Sequence, residues 1–301
     1  MEAVVIHETG GPEVLRLEEV ETPEPGEGEA LIKVRATSIN ALEWKQRRGI
    51  AEIPLPAILG YDVSGVVETS PSPDLAEGDE VFGRASNGSY AQYAVASVEN
   101  LVRKPDGVSH EQAATIPVAG ITAWQALFDH GGLESGQTAL VAGAAGGVGH
   151  FAVQFAKDAG ARVIGTVSSR NRDFVLGLGA DEYVDYTEQD VAEAVSDVDV
   201  ALDTVGGETT ESLVPVVREG GILVSIAAMP PEEAAAERGI RAKVFSSSTD
   251  REQLARIAEL VAAGEVRPEL SEVLPLSEVQ RAHELSESGH ARGKIVLTVD
   301  S

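Results

Sequence analysis

The sequence predicts an α/β protein whose β-rich first third is followed by a doubly wound parallel sheet. Two observations predict it. In the first third, short alternating segments are separated by Gly and Pro turns, as in a barrel or a sandwich. From about residue 117, continuous apolar runs alternate with helical segments, which is typical of βαβ units whose strands are buried on both faces. A chain of 301 residues is long enough for two domains of ordinary size.

The first third contains several short candidate strands. Residues 31–36 alternate apolar and polar side chains, as a half-buried strand does. Residues 23–28, rich in Pro and Gly, mark a turn between strands. The other candidate strands are residues 3–6, 63–67 and 90–95. Many short strands with frequent turns favour a barrel or a sandwich for this part of the chain.

The second part contains the longer apolar runs. Residues 138–142 form a run of the kind found in a buried parallel strand, and residues 148–159 are expected to form the following helix. The later strands of this part are expected at residues 162–167, 199–203 and 221–225. After about residue 245 the pattern changes to an amphipathic helix and then a closing strand, at residues 251–263 and 294–299.

Charge and residue content exclude several classes of function. The chain has 23 Lys and Arg against 49 Asp and Glu, which gives a net charge of −26. A field of this sign repels phosphate backbones and anionic membranes, so we expect no binding to nucleic acid or membrane. The absence of cysteine excludes disulfides, thiolate nucleophiles and Cys-based zinc sites. Because the six histidines also lack metal-ligand spacing, no metal is expected.

The N-terminal residues lack the basic region and the long apolar run of a secretion signal. No apolar stretch approaches the length of a membrane-spanning helix. We therefore expect a cytoplasmic protein. The acidic composition fits either a salt-rich cytoplasm or a codon preference for Arg over Lys, and both explanations stay open.

A glycine-rich turn lies between the first buried strand and its helix. Residues 143–149 read Gly-Ala-Ala-Gly-Gly-Val-Gly and match a dinucleotide-binding turn in which Ala144 replaces the first Gly. Gly146 lets the main chain approach a pyrophosphate, and Gly149 lets helix and strand pack closely. Free N–H groups at the helix N-terminus favour phosphate, so the turn predicts dinucleotide binding. The alternative is a tight turn with a purely structural role.

The end of the second strand indicates which cofactor binds. NAD enzymes usually carry Asp or Glu about 20 residues beyond the fingerprint, where it binds the ribose hydroxyls. Here that position is Ser168, and the segment continues Ser169-Arg170-Asn171-Arg172 with no acid before Asp173. Hydroxyl and guanidinium groups suit a 2′-phosphate, so we predict NADPH as the cofactor. The alternative is that both arginines are solvated at the start of the next helix.

Several motifs in order resemble the zinc-free quinone oxidoreductases (ζ-crystallin-like) of the medium-chain dehydrogenase/reductase superfamily, over nearly the whole chain. They are residues 37–40, 59–65, 78–83, 113–123, 143–149, 179–181, 203–207 and 289–294. The resemblance implies a GroES-like β-barrel catalytic domain at residues 1–116, to which residues 245–301 return. It also implies an inserted Rossmann domain that binds NADPH at residues 117–244.

The resemblance further implies roles for single residues. The zinc-dependent relatives carry Cys at the position of Asn40 and His-Glu at the positions of Tyr61 and Asp62, so zinc catalysis is not expected. Asn40 and Thr122 are implied to lie near the nicotinamide, and Asn40 and Tyr61 are the catalytic candidates. Trp44 and Tyr61 are candidates for the substrate pocket, with barrel packing and a structural hydrogen bond as their alternatives. The other implied cofactor contacts are Gly143, Ala144, Gly146, Gly147, Val148, Ser168, Ser169, Arg170, Tyr186, Thr204, Ile226 and Phe245.

The implied activity is hydride transfer from NADPH to a small-molecule quinone or α,β-unsaturated carbonyl, without zinc. One alternative is an enoyl-thioester reductase, which shares this chemistry. Another is a nucleotide-binding protein without turnover, with the RNA-binding or structural role of some ζ-crystallin-like proteins, although the charge of −26 opposes RNA binding. A homodimer is also expected, because the resembling proteins commonly pair through their Rossmann sheets.

Overall fold

The structure is a computed structural model that describes residues 1–300 of the chain, and it divides into two compact units. Unit 1 comprises Met1–Ile121, Thr249–Gly264 and the chain from Pro268 onward. Unit 2 comprises Thr122–Ser248 and Glu265–Arg267. The changes between units thus come a few residues later than residues 117 and 245, where the sequence pattern changes.

The first part of unit 1 is mostly β structure, as predicted. Its elements are β1 (Glu2–Ile6), β2 (Arg16–Glu19), β3 (Glu29–Ser38), α1 (Ala41–Arg47), β4 (Ala57–Ile58), β5 (Asp62–Thr69), β6 (Glu80–Arg84), β7 (Tyr93–Ser97), β8 (Leu101–Arg103) and α2 (His110–Ala113). One strand differs from its prediction, since β7 begins three residues later than residue 90. The reason is a contact with β1, in which the N–H of Val4 donates to the carbonyl oxygen of Tyr90 at 2.8 Å.

A helical stretch precedes the parallel sheet: α3 (Ile121–Trp124) lies between two π-helical segments, Ile116–Gly120 and Gln125–His130. Strands and helices then alternate. They are β9 (Thr138–Ala142), α4 (Gly149–Asp158), β10 (Arg162–Val167), α5 (Arg172–Gly177), β11 (Glu182–Asp185), α6 (Val191–Ala194), β12 (Val198–Asp203), α7 (Glu208–Leu213), β13 (Val217–Ser225), α8 (Glu232–Glu237) and β14 (Arg241–Val244).

The six strands of unit 2 form one parallel sheet in the order β11-β10-β9-β12-β13-β14. The chain builds this sheet outward from β9, first to one side and then to the other. That is the doubly wound order, in which ligands bind outside the carboxyl ends of the strands where the direction reverses. The apolar side chains of the central strands are buried on both faces, as the continuous runs predicted.

The chain then returns to unit 1 with α9 (Arg251–Ala262), β15 (Leu270–Pro275), α10 (Val279–Glu287) and β16 (Lys294–Thr298). The main sheet of unit 1 has the order β15-β16-β3-β5-β6-β8, with β7 also paired to β3. A smaller sheet has the order β2-β1-β4. Because β16 pairs antiparallel with the end of β3, Lys294 lies beside the residues that follow β3. The predicted α/β architecture, a β-rich domain with an inserted Rossmann sheet, is confirmed.

Candidate active site

Six of the predicted cofactor residues each come directly after the last residue of a parallel strand. They are Gly143 after β9, Ser168 after β10, Tyr186 after β11, Thr204 after β12, Ile226 after β13 and Phe245 after β14. Because all six strands run in the same direction, these residues share the carboxyl edge of the sheet. This is the edge at which doubly wound proteins bind nucleotides.

The glycine-rich turn is tight on one side and open on the other. The N–H of Gly146 donates to the carbonyl oxygen of Gly143 at 2.9 Å, and a Cβ atom at Gly149 would collide with that oxygen. Gly143 has a φ of +72°, which favours glycine. A Cβ atom at Gly146 would instead meet only the Gly143 oxygen, at 3.3 Å. Gly146 therefore faces open space, as the approach of a pyrophosphate requires.

The remaining residues of the turn contribute mainly through the backbone. The side chain of Ala144 is buried, and a Cβ atom at Gly165 on β10 would contact it at 2.9 Å. Gly147 and Val148 are half-buried and lead into α4, whose ten residues begin at Gly149. The first N–H groups of this helix are the donors that such turns offer to phosphate. The turn thus fits the diphosphate of NADPH.

The adenosine end of the predicted site is polar. The hydroxyl of Ser168 is buried and has no hydrogen-bond partner among residues 1–300, whereas Ser169 and Arg170 are exposed. Tyr186 is 58 % exposed. The guanidinium of Arg172 lies over the ring of Tyr183, 5.3 Å from its centroid. A buried hydroxyl without a hydrogen-bond partner is uncommon in proteins. A 2′-phosphorylated ribose bound beside Ser168 would give its hydroxyl such a partner.

Asp203, the last residue of β12, organises the next part of this edge. Its Oδ1 accepts the N–H groups of Val205 and Gly206, both at 2.9 Å, and its Oδ2 accepts hydroxyls from α7 and β13. The hydroxyl of Thr204 donates to the carbonyl oxygen of Ala142 at 2.7 Å, which ties β12 to the start of the glycine-rich turn. In the sequence, Asp203 was noted only as part of the motif at residues 203–207, and no role was predicted for it.

The segment after β14 is fixed by the helical stretch that opens unit 2. The hydroxyl of Thr122 donates to Ser247 Oγ at 2.8 Å. Gln125 donates to the carbonyl oxygen of Ser248 at 2.9 Å and accepts its N–H at 3.2 Å. The ring of Phe245 packs edge-on against His130, with 4.4 Å between centroids. Thr122, predicted near the nicotinamide, and Phe245, a further predicted cofactor contact, are thus held by one set of hydrogen bonds and ring contacts.

Asn40 in unit 1 belongs to a buried polar cluster, which we call the Lys294 cluster: Ser38, Asn40, Glu43, Asp62 and Lys294. The amide Nδ2 of Asn40 donates to Asp62 Oδ2 at 2.8 Å and to Glu43 Oε1 at 3.1 Å. Its Oδ1 accepts from the ammonium of Lys294. Both polar atoms of the side chain are therefore engaged within the cluster. The predicted contact of Asn40 with the nicotinamide stays a prediction.

Asp62 and Lys294 connect the cluster to its surroundings. Asp62 is fully buried, accepts the hydroxyl of Ser38 and accepts the N–H of Val118 at 2.8 Å. Lys294 Nζ donates to the carbonyl oxygen of Ile39 at 2.8 Å and lies 3.7 Å from Asp62 Oδ2. The cluster thus joins the end of β3, the start of β5 and the start of β16.

Burial sets the charges of this cluster. It raises the pKa of Glu43 to about 7, an effect that the hydrogen bond from Asn40 opposes and the charge of Asp62 reinforces. Burial also lowers the pKa of Lys294, and the negative charges of Asp62 and Glu43 offset part of that shift. A carboxyl that titrates near neutrality adds less than a full negative charge beside Asp62. The ammonium of Lys294 then faces mainly one carboxylate, with which it can form a balanced buried pair.

Tyr61 and Trp44 lie half-buried beside this cluster in the chain. The Nε2 of Gln46 donates to the hydroxyl oxygen of Tyr61 at 2.6 Å, and the guanidinium of Arg84 lies over its ring at 5.5 Å. The ammonium of Lys45 lies 5.7 Å from the centroid of the Trp44 ring. Tyr61 thus makes a structural hydrogen bond, which was the predicted alternative to a role in the substrate pocket. Its own hydroxyl proton is left for another acceptor.

The positions at which zinc-dependent relatives carry Cys and His-Glu hold Asn40, Tyr61 and Asp62 here. The positive charge beside Asp62 comes from Lys294. Within residues 1–300, no group of three or more His, Cys, Asp or Glu side chains could hold a metal ion. In the same range, no helix is long and apolar enough to span a membrane.

Comparisons with known proteins agree with this architecture. Residues 26–106 match the family model of the alcohol dehydrogenase GroES-like domain, and residues 178–297 match that of the zinc-binding dehydrogenase. The NADPH-dependent alkenal/one oxidoreductase of Arabidopsis thaliana chloroplasts is 34 % identical over 318 residues, which cover 99 % of this chain and 79 % of the relative.

Two solved structures are similar over the whole chain. The quinone oxidoreductase from Coxiella burnetii is 37 % identical with a TM-score of 0.95, covering 100 % of this chain and 99 % of the other. The Escherichia coli quinone oxidoreductase, solved as a complex with NADPH, is 28 % identical with a TM-score of 0.91. The similarity covers 99 % of this chain and 100 % of the Escherichia coli chain.

Proposed function

Because this chain belongs to the quinone oxidoreductase branch of the medium-chain dehydrogenase/reductase superfamily, we propose that it transfers a hydride from NADPH to a quinone or an α,β-unsaturated carbonyl without zinc. The chain is an oxidoreductase, and its cofactor is NADPH. The class of acceptor and the independence from zinc are the parts that we propose. The homodimer and the cytoplasmic location stay predictions.

The observation that supports this proposal most strongly is the Lys294 cluster. Zinc-dependent relatives carry Cys at the position of Asn40 and Glu at the position of Asp62, whereas here the side chains of Asn40 and Asp62 bind the ammonium of Lys294. An ammonium buried between these groups cannot polarise a carbonyl as a Lewis acid does. This arrangement supports an acceptor that takes a hydride without a metal.

A conjugated acceptor meets that requirement. When bound, NADPH supplies the hydride, and an electron-poor alkene or quinone ring takes it at carbon while charge develops on oxygen. The protein has to align the acceptor and to offer hydrogen-bond donors to that oxygen. We propose Tyr61 as such a donor, because Gln46 already donates to its oxygen and leaves its proton free. Water can supply the proton that completes the reduction, so a protein acid is not required.

A panel of acceptors assayed by NADPH consumption tests the proposed function. We expect turnover with quinones and short enones, because they accept hydride without a metal, and unchanged turnover after treatment with a chelator. A saturated aldehyde or ketone of the same size is the matched control, and it should not be reduced. Reduction of the saturated control, or loss of activity on chelation, would contradict the proposal.

A further inference from the structure

The buried side of helix α1 is polar, whereas most helices bury apolar side chains. Its buried residues are Glu43, Gln46 and Arg47, at the spacing that places side chains on one side of a helix. Polar side chains are costly to bury unless each has a partner. Glu43 accepts from Asn40 within the Lys294 cluster, and Arg47 pairs with Glu287 of α10. The partner of Gln46 therefore indicates why a glutamine is buried at this position.

That partner is the hydroxyl of Tyr61. Gln46 is 6 % exposed, and its Nε2 donates to the Tyr61 oxygen at 2.6 Å. The rest of Tyr61 is fixed by other residues. Its carbonyl oxygen accepts the N–H of Ala85 at 2.8 Å, and the guanidinium of Arg84 lies 5.5 Å from the centroid of its ring. Because these contacts hold the backbone and the ring, the hydrogen bond from Gln46 acts on the hydroxyl itself.

The hydrogen bond from Gln46 determines what the hydroxyl of Tyr61 can do. A phenolic hydroxyl can accept a hydrogen bond and donate its single proton. Because the amide N–H occupies one side of the oxygen, the hydroxyl proton turns to the other side and stays free for a ligand. Hydrogen bonds in a chain polarise one another, so accepting from Gln46 also strengthens the bond that Tyr61 can donate. Gln46 thus orients and strengthens a hydrogen-bond donor while it stays buried.

We propose that Gln46 is a positioning residue that directs the proton of Tyr61 toward the oxygen of the bound acceptor. The inference rests on the proposed function, in which a hydride adds to the β-carbon of an enone and the alkene electron pair shifts, so that negative charge develops on the carbonyl oxygen. The Tyr61 hydroxyl keeps its proton and donates a hydrogen bond to that oxygen, and water then protonates the α-carbon. A glutamine with only a structural role would affect this step only through the fold.

Gln46→Glu tests the inference because it changes the donor to Tyr61 with almost no change in shape. When the introduced carboxyl is ionised, it accepts the Tyr61 proton and withdraws it from the acceptor. When it is protonated, it donates to the Tyr61 oxygen as the amide does. Burial raises the pKa of a carboxyl at this position toward neutrality. We expect kcat for a short enone to be about 10- to 100-fold below that of the unaltered protein at about pH 8.5, and to recover at about pH 6.

Other charged groups near Gln46 make a matched control necessary. Burial raises the pKa of Glu43, one turn earlier on α1, to about 7, so Glu43 titrates in the same range. Arg47 on α1 and Arg84 over the Tyr61 ring are the neighbouring cationic groups. Gln46→Met keeps all three and can neither donate nor accept. We expect it to lower kcat by about threefold to tenfold, the scale of one neutral hydrogen bond, with the pH dependence of the unaltered protein.

The same substitutions combined with Tyr61→Phe separate an effect through Tyr61 from an effect on the fold. In that background, neither Gln46→Glu nor Gln46→Met should lower kcat further or add a pH dependence, because no hydroxyl is left to direct. The dissociation constant of NADPH should be unchanged in both single variants, since Gln46 acts on the acceptor and not on the cofactor.

Three results would overturn the inference. They are a loss in Gln46→Glu that is equal at both pH values, a loss that persists in the Tyr61→Phe background, and full turnover of Tyr61→Phe alone. With any of them, reduction of enones by the unaltered protein would leave the proposed hydride transfer standing. If the unaltered protein reduces neither enones nor quinones, the proposed function itself is wrong.

Discussion

Replacement of Lys294 by methionine is expected to lower the free energy of unfolding by about 3–5 kcal/mol, the range observed when one partner of a buried ion pair is removed. Lys294 is 2 % exposed and Asp62 is fully buried, so the variant leaves a carboxylate without its counter-charge inside the protein. The hydrogen bonds to Asp62 from Ser38, Asn40 and Val118 remain, and they soften this loss without neutralising the charge.

Urea unfolding measures this effect, and Lys157→Met is the matched control. The Lys157 side chain is 44 % exposed and pairs with Asp181 at 2.6 Å, so its loss should cost less than about 1 kcal/mol. Asp62→Asn combined with Lys294→Met should recover part of the lost stability, because the buried charge is gone. Equal losses for the two lysine variants would show that the Lys294 cluster does not hold a charged pair.

Replacement of Gly146 by valine is expected to weaken NADPH binding by more than about 100-fold, or about 2.7 kcal/mol, while the fold is retained. A Cβ atom at this position meets only the Gly143 oxygen, at 3.3 Å, so the chain can accommodate it. The added methyl groups would occupy the space through which the backbone approaches the pyrophosphate. Fluorescence titration gives the affinity, and thermal unfolding reports on the fold.

Gly177→Val serves as the control for the Gly146 variant. Gly177 is the last residue of α5, and a Cβ atom there meets nothing within 4 Å. NADPH affinity should be unchanged in this variant. If Gly146→Val binds NADPH as tightly as the unaltered protein does, the pyrophosphate does not lie on the glycine-rich turn.

Local patterns predicted the Rossmann part of the molecule well. Strand β9, the glycine-rich turn and α4 are contiguous in the chain, and each has its own signal: apolar content, glycine spacing and helical periodicity. Short strands with polar residues gave no such signal. The strand β14 (Arg241–Val244) alternates exposed and half-buried residues at the edge of the sheet, and periodicity alone did not predict it.

The Lys294 cluster could not be derived from local patterns. Lys294 and Asn40 are 254 residues apart, and only the pairing of β16 with β3 brings them together. Glu43 lies on the short helix α1, and nothing in the sequence indicated that its side chain is buried.

Transfer of deuterium from NADPH labelled at C4 to an enone tests the central claim most directly. The proposed function predicts that the label carried by the transferred position of C4 appears at the β-carbon of the reduced product, with a proton from water at the α-carbon. Both C4 epimers of the labelled cofactor should be used, so that one of them carries the label in the transferred position. Unlabelled product from both epimers, with the deuterium recovered in water, would contradict direct hydride transfer.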